Sequence, residues 1–267
     1  MGKQPKIFAT NRQKNIVEYV NRKNSVTVDD LVEYCGVSPA TIRNDLQELA
    51  KTGFIRRTHG GAVSIHSALY TDCPPGWSEE TNFSKSQYQK TEKYEISRKA
   101  LSYIHDGDNI MLDAGTTTLQ LAQLLGQFRN LNVTTYDVDI AHYLIHNTNV
   151  NVYFAGGHVR ADLFYCDSFE TAELLQRFKV TCSFLSANGV SLDDGLTSSS
   201  PETTGIKRIL IENSQRTILL ADSSKLGKTT FFQFADLNQA DILITDKGAD
   251  PDFVKAVQAL GVSVDCV

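Results

Sequence analysis

Between Asn11 and Val63, the start and stop signals of three helices and a hairpin follow one another with scarcely a residue between them. Ile16, Val17 and Val20, with Tyr19 beside them, make one apolar face after Asn11. Thr27 offers a side-chain oxygen as N-cap, and Asp30 three positions later completes a capping box ahead of Leu31, Val32 and Cys35. Gly36 ends this second helix, since glycine enters the left-handed conformation that closes a helix without a Cβ clash. Ser38 is the next N-cap, and Pro39 suits a first helical position, whose N–H has no partner anyway. From Pro39 to Lys51, Ile42, Leu46 and Leu49 recur at helical spacing, while Thr41, Arg43, Asn44 and Gln47 occupy the opposite face. Phe54 to Val63 then predicts two short strands around Gly60-Gly61, carrying Arg56, Arg57 and His59. Together these signals predict a winged helix-turn-helix, in which the third helix enters the major groove of duplex DNA. The residues expected to face DNA are Ser38, Thr41, Arg43, Asn44, Gln47, Arg56, Arg57 and His59, types suited to phosphates and base edges.

A three-helix bundle that only packs or dimerises would show the same periodicity, but the charge distribution argues against it. Residues 1–63 hold 10 Lys plus Arg against 6 Asp plus Glu, whereas residues 64–267 hold 16 against 25, within a whole chain of net charge −5. A basic module on an acidic body attracts phosphate while limiting indiscriminate binding by the rest of the protein.

A chain of 267 residues with 41% hydrophobic content accommodates one small and one larger packed domain. The start MGKQPKIF lacks a signal-peptide core, and no apolar run approaches the ~20 residues of a membrane span, so a cytoplasmic protein without membrane contact is expected. Cysteines 35, 73, 166, 182 and 266 are widely spaced, with no Cys-x-x-Cys pair, and read as reduced, mostly buried thiols. His142 and His146 have helical spacing but no third ligand beside them, which reads as a helix face and not as a metal site. Neither cofactor nor metal is expected.

Residues 64–90 read as a linker, since Cys73-Pro74-Pro75-Gly76 resists both helix and sheet; Trp77 and Phe83 are candidates to dock it onto the body. From residue 91 onward, helical and strand patterns alternate. Strands are expected at Asn109 to Asp113, Leu131 to Thr134, Val150 to Phe154, Val180 to Ala187, Arg216 to Ala221, Ile242 to Thr245 and Val262 to Cys266. Helices are expected through Ile96 to Ile104, and at Thr117 to Leu125, Asp139 to Ile145, Ser168 to Phe178, Pro201 to Asn213 and Pro251 to Leu260. Such alternation predicts a mostly parallel sheet with helices on both faces, whose ligand sits beyond the carboxyl ends of the strands.

Five polar stretches fall at those ends. Asp113-Ala114-Gly115-Thr116-Thr117-Thr118 joins a strand to a helix, so backbone amides, hydroxyls and a helix N-terminus converge as an anion site needs, without the glycines of a P-loop or a dinucleotide fingerprint. The others are Thr134-Thr135-Tyr136-Asp137, Gly156-Gly157 with Arg160, Asn188-Gly189, and Asp222-Ser223-Ser224-Lys225. Arg160 suits a bidentate phosphate contact, Lys225 a phosphate or carbonyl, and Asp222 a sugar hydroxyl. Each stretch alone might be an ordinary loop; together they favour a small polar ligand.

The run RQKNIVEYVNRKNSVTVDDLVEYCGVSPATIRNDLQELAKTGFIRRTHGGAV resembles the winged-helix domain of the DeoR family. LDAGTTT, FAGGHVR, FLSANGV with DGLTS, and ADSSKLG are similar to landmarks of that family's sugar-phosphate sensor domain. The resemblance covers nearly the whole chain from about residue 8. It implies a repressor of carbohydrate genes that binds double-stranded operator DNA and is relieved by a phosphorylated sugar or polyol. It also implies a C-terminal α/β domain like ribose-5-phosphate isomerase, and a homodimer or homotetramer. By motif it assigns effector contacts to Asp113, Gly115, Thr116, Thr117, Gly156, Arg160, Glu202, Lys207 and Lys225; Thr135, Gly157, Asn188 and Asp222 complete the set from the strand ends.

Two departures stand out. Thr135-Tyr136-Asp137 replaces the family's Thr-Asn-Ser, and Asp137, which would repel a phosphate, is expected to face sugar hydroxyls. Asp167 stands where a glycine is usual. The rival reading is a sugar-phosphate isomerase or deaminase carrying a DNA-binding domain, with Glu202 as base and Lys207 as its partner. However, the Asp-Gly-Ala-Asp segment of the similar isomerases is here Ala187-Asn188-Gly189-Val190. No catalytic residue is therefore assigned.

Overall fold

The Thr27 hydroxyl accepts the Asp30 amide at 3.1 Å and the Asp30 carboxylate accepts the Thr27 amide at 2.8 Å, so the expected capping box forms and fixes where the helix starts. In a computed structural model that describes residues 6–23, 25–51, 55–58, 60–64, 88–160 and 163–267, the chain divides into two units, Met1–Asp72 and Cys73–Val267. The first contains α1 (Lys6–Lys23), β1 (Ser25–Thr27), α2 (Val28–Cys35), α3 (Pro39–Lys51), β2 (Ile55–Thr58) and β3 (Gly61–Ser64). Gly36 closes α2 in the left-handed region at φ 65°, and Ser38 caps α3 by accepting the Thr41 amide at 3.3 Å. Ile16, Val20, Leu31, Ile42, Leu46, Leu49 and Ile55 pack as one core, and the Arg12 guanidinium bonds Asp45 at 2.6 Å to tie α1 to α3. The wing is a three-stranded antiparallel sheet of order β1-β3-β2, one strand more than the hairpin read from sequence. A strand as short as β1 has no periodicity to read, and its partner β3 lies far along the chain.

In the second unit come α4 (Lys90–Ala100), β4 (Asn109–Leu112), α5 (Thr116–Gln123), β5 (Asn132–Thr135), α6 (Val138–Asn147), β6 (Asn151–Phe154) and α7 (Phe169–Leu175). After them come β7 (Cys182–Ser186), β8 (Gly189–Ser191), β9 (Gly195–Ser198), α8 (Glu202–Glu212), β10 (Thr217–Leu220), β11 (Phe232–Ala235), β12 (Ile242–Thr245), α9 (Pro251–Ala259) and β13 (Ser263–Cys266). Seven strands form a sheet of order β13-β12-β10-β7-β4-β5-β6, every pair parallel. Alternate residues feed two cores. Ile110, Leu112, Val133, Phe184, Ile218 and Ile244 meet α4, α5 and α6, while Met111, Leu185, Leu219 and Leu243 meet α8 and a small antiparallel sheet. That small sheet, of order β11-β9-β8, was not expected. The chain leaves β4 toward β5 and β6, then returns to build β7, β10, β12 and β13 on the other side, so the β4–β7 junction is a topological switch point, where ligands of such sheets bind.

Among the described cysteines, Cys166 and Cys182 are buried, but Cys35 is only half-buried and Cys266, on the edge strand β13, is exposed. The thiols are therefore less uniformly buried than the sequence suggested. No helix among the described residues is long and apolar enough to cross a membrane. Most of the 64–90 linker, with Trp77 and Phe83, lies outside the described residues.

Candidate functional site

On α3 the apolar residues turn inward and leave Arg43, Asn44 and Gln47 exposed, without a side-chain hydrogen bond or ion pair among the described residues. Thr41 is half-buried and its hydroxyl lies 2.9 Å from that of Ser38 at the start of the helix. Arg57 is exposed on β2. His59 and the Arg56 side chain lie outside the described residues. Thr41, Arg43, Asn44 and Gln47 thus share one helix that Ser38 caps, and Arg57 lies on the wing.

In the second unit a cavity of about 530 Å³ opens beyond the carboxyl ends of β4, β5, β7 and β10. Its walls come from Gly115, Thr116 and Thr117 after β4; Tyr136 after β5; Ser186 and Asn188 at β7; and Asp222, Ser224 and Lys225 after β10. Thr203 and Lys207 of α8, Tyr165, and Tyr88, Gln89 and Lys93 at the start of α4 complete it. Gly115 begins α5 and supplies no side-chain cap, which leaves the first-turn amides of a helix N-terminus beside the cavity. A side chain at 115 would not fit, since a Cβ there would come within 2.9 Å of Ser186 Oγ. Lys225 is half-buried on a short 3-10 turn that Asp222 caps by accepting the Ser224 amide, and no carboxylate lies within 4 Å of it among the described residues. An uncapped helix start and an ammonium group on the walls of one cavity provide what a phosphate ester requires.

Beneath the cavity lies a saturated polar floor. Asp113 is fully buried and accepts from the Ser186 amide and hydroxyl, each at 2.8 Å, from the Tyr136 hydroxyl, and from Lys207 Nζ. Lys207 also donates to the Ser186 carbonyl at 3.0 Å and sits 5.4 Å from the centre of the Phe234 ring. Burial, reinforced by the Asp113 charge, pushes the Tyr136 hydroxyl well above the usual phenol range and keeps it a donor. The Asp113 carboxylate is consumed by these partners, and Lys207 borders the cavity with its charge already matched.

Of the expected effector residues, Gly115, Thr116, Thr117, Asn188, Lys207, Asp222 and Lys225 are brought together around the cavity. Thr135 is not among its walls. Its hydroxyl donates to the Leu112 carbonyl and serves the junction of β4 and β5. Gly156, Gly157, Arg160 and Glu202 gather elsewhere. Arg160 pairs with Asp167 at 3.3 Å and Glu202 at 3.6 Å, and a Cβ on Gly157 would meet the Ser168 and Thr171 hydroxyls within 2.4 Å. Gly157 therefore serves close packing against the start of α7, and the Gly156 carbonyl accepts the Thr171 hydroxyl at 2.9 Å. Asp137 does not face the cavity: it is 1% exposed and caps α6 by accepting the Ile140 amide at 2.9 Å. Glu202 and Lys207 do not pair, since Lys207 is held by Asp113 and Glu202 accepts from Ser200 and Arg160.

Tyr88, Gln89, Lys93, Tyr165, Ser186 and Thr203 border the cavity without having been singled out from sequence. A signal for Lys93 exists: it stands in register with Ile96 and Ala100 on the buried face of α4, where an unpaired lysine would be costly. Tyr165 reaches the site from a loop, and no spacing rule points to it.

The DeoR-like helix-turn-helix domain matches residues 12–68, and the DeoR C terminal sensor domain matches residues 88–247. The chain is 34% identical over 262 residues to the uncharacterized HTH-type transcriptional regulator YulB of Bacillus subtilis (strain 168), covering 98% of each. It is 30% identical to the glycerol-3-phosphate regulon repressor of Escherichia coli (strain K12), covering 94% of this chain and 95% of that one. Among solved structures it is similar to ribose 5-phosphate isomerase A of Methanocaldococcus jannaschii, with 16% identity and a TM-score of 0.39 over 51% of this chain and 54% of the other. A winged helix-turn-helix joined to a parallel α/β sensor domain defines a DNA-binding transcriptional regulator. The chain belongs to the DeoR family.

Proposed function

We propose that the protein represses a carbohydrate-utilisation operon and leaves its operator when a phosphorylated sugar or polyol fills the cavity at the β4–β7 junction. The observation that carries this reading is the uncapped start of α5 on the walls of one cavity with the Lys225 ammonium, which no carboxylate pairs among the described residues. The Escherichia coli relative is a glycerol-3-phosphate regulon repressor, which agrees with a phosphate ester as signal. The protein acts without turnover: the Asp113 carboxylate is saturated, and Glu202 and Lys207 do not form a base and its partner. It works as a homodimer or homotetramer in the cytoplasm, with two winged helices on half-sites about one helical turn apart. An effector that prefers one arrangement of the subunits shifts the equilibrium by about 1–3 kcal/mol, a typical allosteric coupling.

Thermal shift of the full-length protein against sugar and polyol phosphates, beside their unphosphorylated forms, tests the sensor half. A rise in Tm with a phosphate ester alone supports it by linkage, and no shift with any ester refutes it. Lys225→Ala is expected to bind operator normally yet weaken the effector about tenfold or more, the loss of a charge-assisted contact, so that the ester no longer releases DNA. Arg43→Ala is expected to weaken operator binding by about tenfold to a hundredfold, the range for a lost base contact, with the ester-induced Tm rise intact. Unchanged operator affinity in a gel-shift titration would remove Arg43 from the interface.

A further inference from the structure

We propose that Asn188 and Asp222 form a hydroxyl-reading pair of opposite polarity, so that the effector is selected by two neighbouring hydroxyl groups as well as by its phosphate. The inference rests on the phosphate-ester reading above and names the residues that choose among such esters. β7 and β10 run parallel with Ser186 in register with Leu220, and Asn188 and Asp222 stand two residues beyond these paired ends. Neighbouring strands lie about 4.8 Å apart, and both residues border the cavity, which places them within the span of one small ligand.

Each side chain has one atom committed and one left over. The Ser199 amide donates to Asn188 Oδ1 at 3.3 Å, and the Ser198 hydroxyl lies 3.5 Å from the same oxygen. A backbone amide only donates, so the atom it meets is the oxygen, and the Nδ2 amino group is what Asn188 has left. Asp222 is 2% exposed, and its Oδ1 accepts from the Ser224 amide at 3.1 Å and from the Ser224 hydroxyl. Among the described residues, Asn188 Nδ2 and Asp222 Oδ2 have no hydrogen-bond partner. The buried carboxylates just past two other strand ends are matched within the fold. Asp113 holds Lys207 and three further donors, and Asp246 holds the Ser223 amide and hydroxyl and the Gly248 amide. Of these three carboxylates, Asp222 is the one on the cavity wall. A carboxylate only accepts and an amide nitrogen only donates, whereas a hydroxyl does both. Two adjacent hydroxyls therefore complete a chain in which Asn188 donates to the first, the first to the second, and the second to Asp222. The bond to the carboxylate is charge-assisted and the strongest of the three. An ester without hydroxyls leaves both groups unpaired in a confined site, and a site so built rejects such an analogue.

The test titrates the full-length protein calorimetrically with glycerol phosphate and ribitol phosphate, beside propyl phosphate and pentyl phosphate of matching carbon number. Wild type is expected to bind the polyol ester about tenfold more tightly than its alkyl counterpart, or better, at one chain length or both. Asp222→Asn keeps an oxygen for the Ser224 amide but turns the second acceptor into a donor. Asn188→Asp keeps an oxygen for the Ser199 amide but turns the donor into an acceptor. Each is expected to bring the two esters within about threefold of each other, and the comparison cancels any effect of the changed charge on the phosphate they share. A hydroxyl chain runs in either direction, so the double variant Asn188→Asp with Asp222→Asn is expected to regain most of the preference, which a purely structural role of either residue does not give. Wild type that binds polyol and alkyl esters alike overturns the pair and leaves the phosphate site standing, whereas wild type that binds none of the four overturns both. Preference retained in both single variants, or a double variant no more selective than they are, overturns the polarity assignment. If Asp222→Asn does not fold, Asn188→Asp and the wild-type comparison decide.

Discussion

Lys207→Met is expected to destabilise the C-terminal unit by about 3–5 kcal/mol, the usual cost of leaving a buried charge without its partner. The ion pair it breaks has side-chain exposures of 6% for Lys207 and 0% for Asp113. Methionine fills much of the same volume, so packing changes little, but the Asp113 carboxylate keeps only the Tyr136 hydroxyl and the Ser186 amide and hydroxyl. The double variant Asp113→Asn with Lys207→Met is expected to recover much of that loss, because the anion is removed along with its counter-ion. Urea denaturation of the wild type, the single variant and the double variant checks this. A cost below about 1 kcal/mol in the single variant, in the range of an exposed pair, would show that the pair is screened by solvent and is no structural floor.

The second large effect concerns pH and Asp137. Burial, in part offset by the Ile140 amide and aided by nearby Asp139 and Asp113, pushes this carboxyl up to about 7 from the ordinary aspartate value of 3.8. The native state therefore retains a proton that the unfolded chain releases near pH 4. Between about pH 4 and 7 the native protein binds more protons than the unfolded one, so this group lowers stability as pH rises, by up to about 1.4 kcal/mol per pH unit, and the loss levels off above pH 7. Asn at 137 keeps an acceptor for the Ile140 amide and cannot ionise. Asp137→Asn is expected to match wild type near pH 4 and to be more stable at pH 8 by roughly 2–4 kcal/mol. Denaturation midpoints at pH 5, 6.5 and 8 decide the matter, and wild-type and variant curves that run parallel would contradict it.

Both effects arise in a region that was only half legible in the sequence. Around Asp113 the strand-to-helix turn was visible, because Gly115 and the threonines that follow it lie within one helical turn. That the Asp113 carboxylate points down to Lys207 and not up into the cavity depends on residues 94 positions apart. The same holds for Asp137, whose carboxyl turned out to be a cap where a sugar contact was expected. Arg160 and Glu202 did come together, but as an ion pair away from the cavity walls.

The winged helix was readable almost residue by residue, since Thr27 with Asp30, Gly36, and Ser38 with Pro39 act over four residues or fewer, and side chains at that range decide a helix end regardless of the rest of the chain. The parallel sheet was readable in outline for a related reason: strands buried on both faces are continuous apolar runs, as Ile110 to Leu112 and Ile242 to Ile244 are. The small sheet of β8, β9 and β11, the third strand of the wing, and the membership of the cavity came only with the tertiary structure. β11 pairs with β9 across more than thirty residues, with register Phe232 to Ser198, and strands of three or four residues carry too little periodicity to announce it. Tyr88, Lys93 and Tyr165 meet the strand ends because helices and loops pack over the sheet. Local order follows from neighbours in the chain, whereas a site is defined by neighbours in space, and their selection awaits the burial of both cores.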